Sequence, residues 1–378
     1  MPRPTPATPS SAGKGSSHAR RLAALLTAAG LLLGACSAGS ASPSPSIPPA
    51  PAGASSPTLA LAPSPTPTSV PTQPAYPLRL TDDEGTVVTL PAEPARIVSL
   101  QPATTETLYA LGGGARLVGD TDFDDYPAAA KALPHVASYQ GVSIEQLVAL
   151  KPDLVLAGGN GGNPAADIAR VRSLGIPVIV VYAATVEGVL ADIRLVGEAS
   201  GLYPTAVTLT AAMEARMAGI SAAASAAASQ PRTFYEIDHQ PDIYGPADDS
   251  FVADMVTRAG GQVITTGSAT SYTMPLERLV AADPQVIVLG DADYGTTAAQ
   301  VSARGAPWTA MSAVRDGAVR PIDDIIVTRP GPRLADGLAA LALAIHPGLA
   351  LPGAAVSPSP AAAASMSPSA AASASPTP

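Results

Sequence analysis

Aromatic residues make up only 4% of this 378-residue chain, so the places where they gather carry information. Phe123 and Tyr126 lie in DFDDYP, Tyr139 in SYQG, Tyr244 in DIYG and Tyr272 in SYTM. Each stretch follows a β-type run or opens a helix, which is where α/β sheets present ligands. Planar side chains there suit a flat, partly apolar ligand. The polar complement is Asn160 in AGGNGGNP, Asp324 in an Asp-Asp pair, and Arg329 in RPGPR. Two prolines and a glycine stiffen that last loop and hold Arg329 in place before the final helix. Arg333, at the helix entry, is expected to pair with an aspartate.

The residues that catalysis would need are not assembled. AGGNGGNP (157–164) lacks the GK[ST] of a phosphate loop and does not fit G-x-G-x-x-G, so a tight turn with close backbone approach is expected. No G-x-S-x-G elbow occurs. His135, His239 and His346 are isolated, without H-x-x-x-H or H-E-x-x-H spacing, and nothing in the spacing suggests a metal site. The expectation is binding rather than catalysis, with no catalytic residue and no resident cofactor.

A repeat supplies the frame for these residues. IEQLVALKPDLVLAGG (144–159) returns 132 residues later as LERLVAADPQVIVLGD (276–291), with six identical positions. Each copy opens with a glutamate (Glu145, Glu277), is stopped by a proline (Pro152, Pro284) and continues as an apolar run. Proline ends a helix and favours extended geometry before it, so the unit reads helix–turn–strand. Two such units imply two similar lobes with a cleft. Both glutamates fall in a first helical turn, where negative charge favours the macrodipole. Ser143 and Gln146 have capping-box spacing, and Pro275 suits the N1 position. Matched acids on two lobes could also dock a symmetric basic partner.

Around the repeat, the alternation of 78–90 predicts a β-hairpin, and strands are expected over 96–100, 116–119, 153–157, 177–182, 233–237, 285–289 and 318–322. Helices are expected over 104–111, 250–259, 275–281 and 333–344. Strands alternating with helices predict an α/β fold with mostly parallel sheets. Between the halves, Gly201 and Pro204 separate two helical stretches. The second, 205–228, is rich in alanine and is read as one long helix joining the lobes.

The ends are different in kind. Residues 1–35 combine a basic leader with an apolar run of about 12 residues, short of the roughly 20 that span a bilayer. L-G-A-C then ends at Cys36, the only cysteine, so no disulfide framework is possible. Residues 36–77 and 352–378 are Pro/Ser/Ala-rich and are expected to be disordered. The organisation is thus a leader, a tether, an N-terminal lobe (78–183), a linking segment (184–229), a C-terminal lobe (230–351) and a tail. A net charge of −9 argues against nucleic acid and against an anionic lipid surface.

Six stretches carry a family resemblance: RIVSLQPATTETLYALG (96–112), LVGDTDFDDYP (117–127), SYQGVSIEQLVALKPDLVLAGG (138–159), RTFYEIDHQPDIYG (232–245), MPLERLVAADPQVIVLG (274–290) and RPGPRLADGL (329–338). In this order they resemble the substrate-binding proteins of ABC importers for vitamin B12, haem and iron–siderophores, and most of all the cobalamin-binding branch. The resemblance implies two α/β lobes joined by one long helix, the class III binding-protein fold, with the ligand between them. It also implies an exported monomer, lipidated at Cys36 through a lipobox-like motif and held to the outer face of the cell membrane. Its two docking glutamates, which meet permease arginines, fall on Glu145 and Glu277. Its cobalamin contacts fall on Phe123, Tyr139, Tyr244 and Arg329. Phe123 stands in place of a tyrosine, Tyr139 and Gly158 in place of tryptophans, and Ile325 in place of an aspartate, with Asp324 adjacent. The stacking surface is therefore smaller. Cobalamin or a related chelate is the expected ligand, with an Fe³⁺–siderophore or haem as the alternative; a cell-surface enzyme is the different class.

Overall fold

The architecture described here is that of a computed structural model, which describes residues 72–159 and 162–352. The leader, Cys36 and most of both low-complexity segments lie outside the described residues, as does Asn160. The hairpin forms as expected, with β1 (Leu78–Thr81) antiparallel to β2 (Val87–Leu90). There follow β3 (Ile97–Ser99), α1 (Pro102–Ala110), β4 (Leu117–Thr121), β5 (His135–Ser138), β6 (Gly141–Val142), α2 (Ile144–Ala149), β7 (Leu154–Gly158), α3 (Ala165–Ser173) and β8 (Val178–Val181). These strands make one sheet in the order β6-β5-β4-β3-β7-β8, parallel except for the β5–β6 pair. The sequence reading missed β5 and β6, which are short and have no long apolar run to announce them.

Helices α4 (Val186–Ala199) and α5 (Tyr203–Ser225) come next. The second part contains β9 (Arg232–Glu236), α6 (Phe251–Arg258), β10 (Gln262–Val263), α7 (Leu276–Ala282), β11 (Val286–Leu289), α8 (Ala298–Ala303), α9 (Ser312–Arg315), β12 (Val319–Pro321), α10 (Asp324–Thr328) and α11 (Leu334–Ile345). Its sheet runs β10-β9-β11-β12, all parallel. Pro204 proves to lie in the first turn of α5 instead of separating two helices, because a first-turn proline has no intrahelical hydrogen bond to lose.

The strands alternate between two cores. Ile97, Leu154, Leu156 and Ile179 pack on one face of the first sheet; Val98, Val155, Val178 and Val180 pack on the other. That is why these strands read as continuous apolar runs: a parallel sheet is covered on both sides. The second sheet divides in the same way, with Tyr235, Val286 and Val288 towards one core and Phe234, Ile287 and Leu289 towards the other.

The repeat is preserved in backbone detail. Lys151 and Asp283, the residues before the two prolines, both adopt a left-handed conformation, with φ of 48° and 43°. Lysine and aspartate share no chemistry here. They share a turn that ends one helix and launches the next strand.

Helix α4 ties the lobes together. Ile193 belongs to the core shared with α5, α6 and α11, while Val196, one turn on, belongs to the hairpin side of the N-terminal sheet. Its contact with α5 is close at Gly197, where an added Cβ would overlap the Ala206 methyl. Gly197→Ala should therefore cost about 1–3 kcal/mol despite alanine's better helix propensity. Urea unfolding should show the loss, and adding Ala206→Gly should recover part of it.

Candidate functional site

Apart from β6, the strands of both sheets are parallel, so the loops that follow them gather along one edge. Those edges meet. Pro330-Gly331, after β12, lies against the start of α1, with Ala103 as the nearest neighbour of Gly331. A cavity of about 290 Å³ lies between the lobes, lined among others by Gln101, Thr104, Tyr182, Asp192, Phe251 and Pro330. In its wall, burial and then the neighbouring Asp83 push the Asp192 carboxyl up to about 8.

The strongest interaction across the cleft centres on Glu106 of α1, whose side chain is 2% exposed. Arg333 Nε and Nη2 donate to its two oxygens at 2.8 and 2.7 Å, and Arg329 Nη1 donates to Oε1 at 2.7 Å. Arg329 Nη1 also reaches Asp125 Oδ1 at 2.9 Å, and the Arg333 guanidinium lies 4.2 Å from the Tyr126 ring centroid. Burial pulls both guanidinium groups down, but the hydrogen bonds to these carboxylates outweigh it and hold them above their ordinary values. For Asp125 burial likewise acts upward, and the Arg329 hydrogen bond and charge overcome it, leaving the carboxyl below the usual range. The aspartate expected as the partner of Arg333 is thus replaced by a glutamate from the other lobe. Sequence reading passed over Glu106 because a single glutamate among the threonines of α1 has no pattern that announces a distant partner.

Tyr126 lies against this latch, beneath the Arg333 guanidinium, and most of the expected aromatic residues are exposed. Phe123, Tyr126 and Tyr272 are about half exposed and Tyr139 is 82% exposed. Tyr244 is half-buried and pairs through its backbone with Asp238 and Thr273. Hydrogen bonding between Gly245 N and Tyr272 O brings the Tyr244 and Tyr272 segments side by side. Two further tyrosines, Tyr182 and Tyr294, are exposed on the loops after β8 and β11. Both follow apolar strand runs, which is the signal that could have found them.

Asp324 is held inward. It accepts hydrogen bonds from Tyr235 Oη at 2.7 Å and Thr328 Oγ1 at 3.1 Å, and burial raises its carboxyl. Asp323 beside it caps α10 and is exposed. Gly158 faces Gln101: a Cβ there would come within 2.6 Å of Gln101 Oε1. Asn163 fastens the glycine-rich turn, accepting from Gly158 N at 2.7 Å and donating to Leu100 O at 3.0 Å. The described part of that loop is a tight turn.

Glu145 and Glu277 are both exposed in the first turns of α2 and α7, and neither side chain has a partner among the described residues. Two local details differ from expectation. Ser143 makes no side-chain cap, and Pro275 is the N-cap residue itself rather than N1. Capping therefore does not occupy either glutamate.

The sequence pattern of the periplasmic binding protein family matches residues 97–325. The chain belongs to that family. An uncharacterised ABC transporter substrate-binding lipoprotein of Bacillus subtilis (strain 168) is 33% identical over 276 residues, covering 72% of this chain and 86% of the relative. A vitamin B12-binding protein of Yersinia pseudotuberculosis serotype O:3 (strain YPIII) is 36% identical over 206 residues, or 54% of this chain and 72% of the relative. Among solved structures, the apo form of a periplasmic haem-binding protein from Roseiflexus sp. RS-1 superposes with a TM-score of 0.59 at 25% identity, covering 66% of this chain and 97% of that one. The family is one of non-catalytic, extracytoplasmic solute-binding proteins that deliver a small ligand to an ABC importer. The α/β two-lobed architecture is that of class III binding proteins. Among the described residues no helix is long and apolar enough to cross a membrane.

Removing one partner of a buried ion pair leaves the others uncompensated. Glu106→Gln should therefore destabilise the protein by about 3–5 kcal/mol, because Arg333 would lose its carboxylate partner and Arg329 would keep only Asp125 among the described residues. Chemical denaturation of the variant and the parent protein checks this; an unchanged midpoint would remove the latch from the stability of the fold.

Proposed function

We propose that the protein is a lipoprotein anchored through Cys36 that captures cobalamin or a related corrinoid or metal chelate and delivers it to an ABC importer. The observation that carries the ligand class is the neutralisation of the cleft arginines. Arg329 and Arg333 are both spent on Glu106 and Asp125, while Asp122, Asp238, Asp293 and Asp323 stand exposed on the loops after strands. Such a cleft disfavours an anionic guest such as haem with its two propionates, since the arginines are already bound to carboxylates. It suits a large guest of low or positive charge held by aromatic faces, as a corrinoid is. A cationic ferric hydroxamate meets the same condition and is the second reading.

In this reading Phe123, Tyr126, Tyr139, Tyr244 and Tyr272 supply apolar contact. Asn160 and Arg329 are read as facing polar groups at the ligand rim, with Asp324 bracing the wall behind it through Tyr235 and Thr328. Absorbance titration with cyanocobalamin, haem and a ferric hydroxamate separates the ligands. Saturable binding of cyanocobalamin, weakened about tenfold by the Tyr139→Ala/Tyr272→Ala double variant, is expected, since each lost aromatic contact is worth about 0.5–1.5 kcal/mol. Binding of the ferric chelate alone would replace cobalamin with a siderophore.

Glu145 and Glu277, exposed on α2 and α7 and without a partner among the described residues, are read as the permease-docking pair. The double Glu→Ala variant should bind ligand with unchanged affinity and support no uptake in cells. Normal uptake would assign docking to other residues.

A further inference from the structure

The C-terminal lobe carries a second group of chemistry-bearing side chains. Glu236 ends β9, His239 follows it, and Asp291 follows the neighbouring strand β11. One donor atom from each lies within 4.8 Å of the other two. Glu236 and Asp291 are buried and His239 is partly buried. His239 Nδ1 is 2.7 Å from Asp291 Oδ2, which also accepts from Thr296 Oγ1 at 2.8 Å. The other oxygen, Asp291 Oδ1, has no hydrogen-bond partner among the described residues, although the residue is only 3% exposed. A buried carboxylate oxygen left without a donor is costly and rare.

We propose that Glu236, His239 and Asp291 form a binding site for one divalent transition-metal ion of the zinc class. One imidazole nitrogen with carboxylate oxygens is a donor set that zinc and its first-row neighbours take, whereas calcium and magnesium prefer oxygen alone. Two carboxylates against the single charge of Arg304 leave the group net negative, which a dication offsets. The outer partners are in place to orient the donors. Arg304 holds both Glu236 oxygens at 2.7 Å, Thr296 fixes Asp291, and the Gln240 amide lies 3.3 Å from His239 Nε2. With metal on Nδ1, that amide turned over would accept the proton then carried by Nε2.

The rival is a plain imidazole–carboxylate pair, and the other lobe provides the comparison. His135 Nδ1 is 2.7 Å from Asp120 Oδ1, and Asp120 Oδ2 is likewise buried without a partner. No third ligating group joins that pair among the described residues. Three donors stand in one lobe and two in the other.

The full chain, stripped with a chelator and dialysed, should take up about one Zn²⁺ in a calorimetric titration, with His239→Gln and Asp291→Asn each weakening uptake at least about tenfold. Co²⁺ should give the intense visible absorption of a low-coordinate site, lost in His239→Gln. His135→Gln should change neither signal. Circular dichroism checks that each variant is folded, and His239→Gln carries the test if Asp291→Asn is not. No zinc uptake by the parent chain, equal uptake by His239→Gln, or a loss in His135→Gln would overturn the site. The probe is the metal ion alone, so the result is independent of the chelate that the cleft binds.

Discussion

The carboxylate of Glu106 is the point on which the arrangement of the two lobes depends. It is withdrawn from water and faces two guanidinium groups supplied by the other lobe. A buried charge is tolerable only when paired and hydrogen-bonded, so the lobes cannot separate at this point without exposing or orphaning it. The same contacts set the Asp125-Tyr126 loop, because Arg329 reaches Asp125 and Arg333 lies over the Tyr126 ring. One ion cluster therefore spaces the cleft, positions part of its aromatic wall and neutralises its two arginines.

Apolar packing also holds the lobes together. Helix α4 contributes Ile193 to one core and Val196 to another, and α5 runs alongside it at a distance that only a glycine at position 197 permits. A packed helix pair resists bending far more than crossing strands would, since close-packed interiors respond to deformation as solids do.

Much of this was legible in the chain. The 144–159 and 276–291 repeat, its prolines and its paired glutamates predicted two helix–turn–strand units, and both form. Apolar runs marked the central strands because burial on both faces favours apolar side chains at most of their positions. The short strands β5 and β6 gave no such signal; β5 forms by pairing with β4 and β6 by pairing with β5, rather than through their own composition. Capping at Ser143 failed for a related reason: a side chain with the right spacing still has to turn towards the helix end. The exposed aromatics in strand-following loops were readable from position, and Tyr182 and Tyr294 obey the same rule.

Sequence by itself determined the class of the fold, the two-lobed plan, the scarcity of catalytic groups and the exposed first-turn placement of Glu145 and Glu277. These follow from local periodicity and from residues whose backbone limits are intrinsic. Only the tertiary structure decided that Glu106 would take both arginines, that Asp324 would turn inward to Tyr235, and that Glu236, His239 and Asp291 would converge. Each of those outcomes brings together residues separated by between about fifty and over two hundred positions. Charge pairing of that kind is fixed by where strands end in space, and no local pattern in the chain records it.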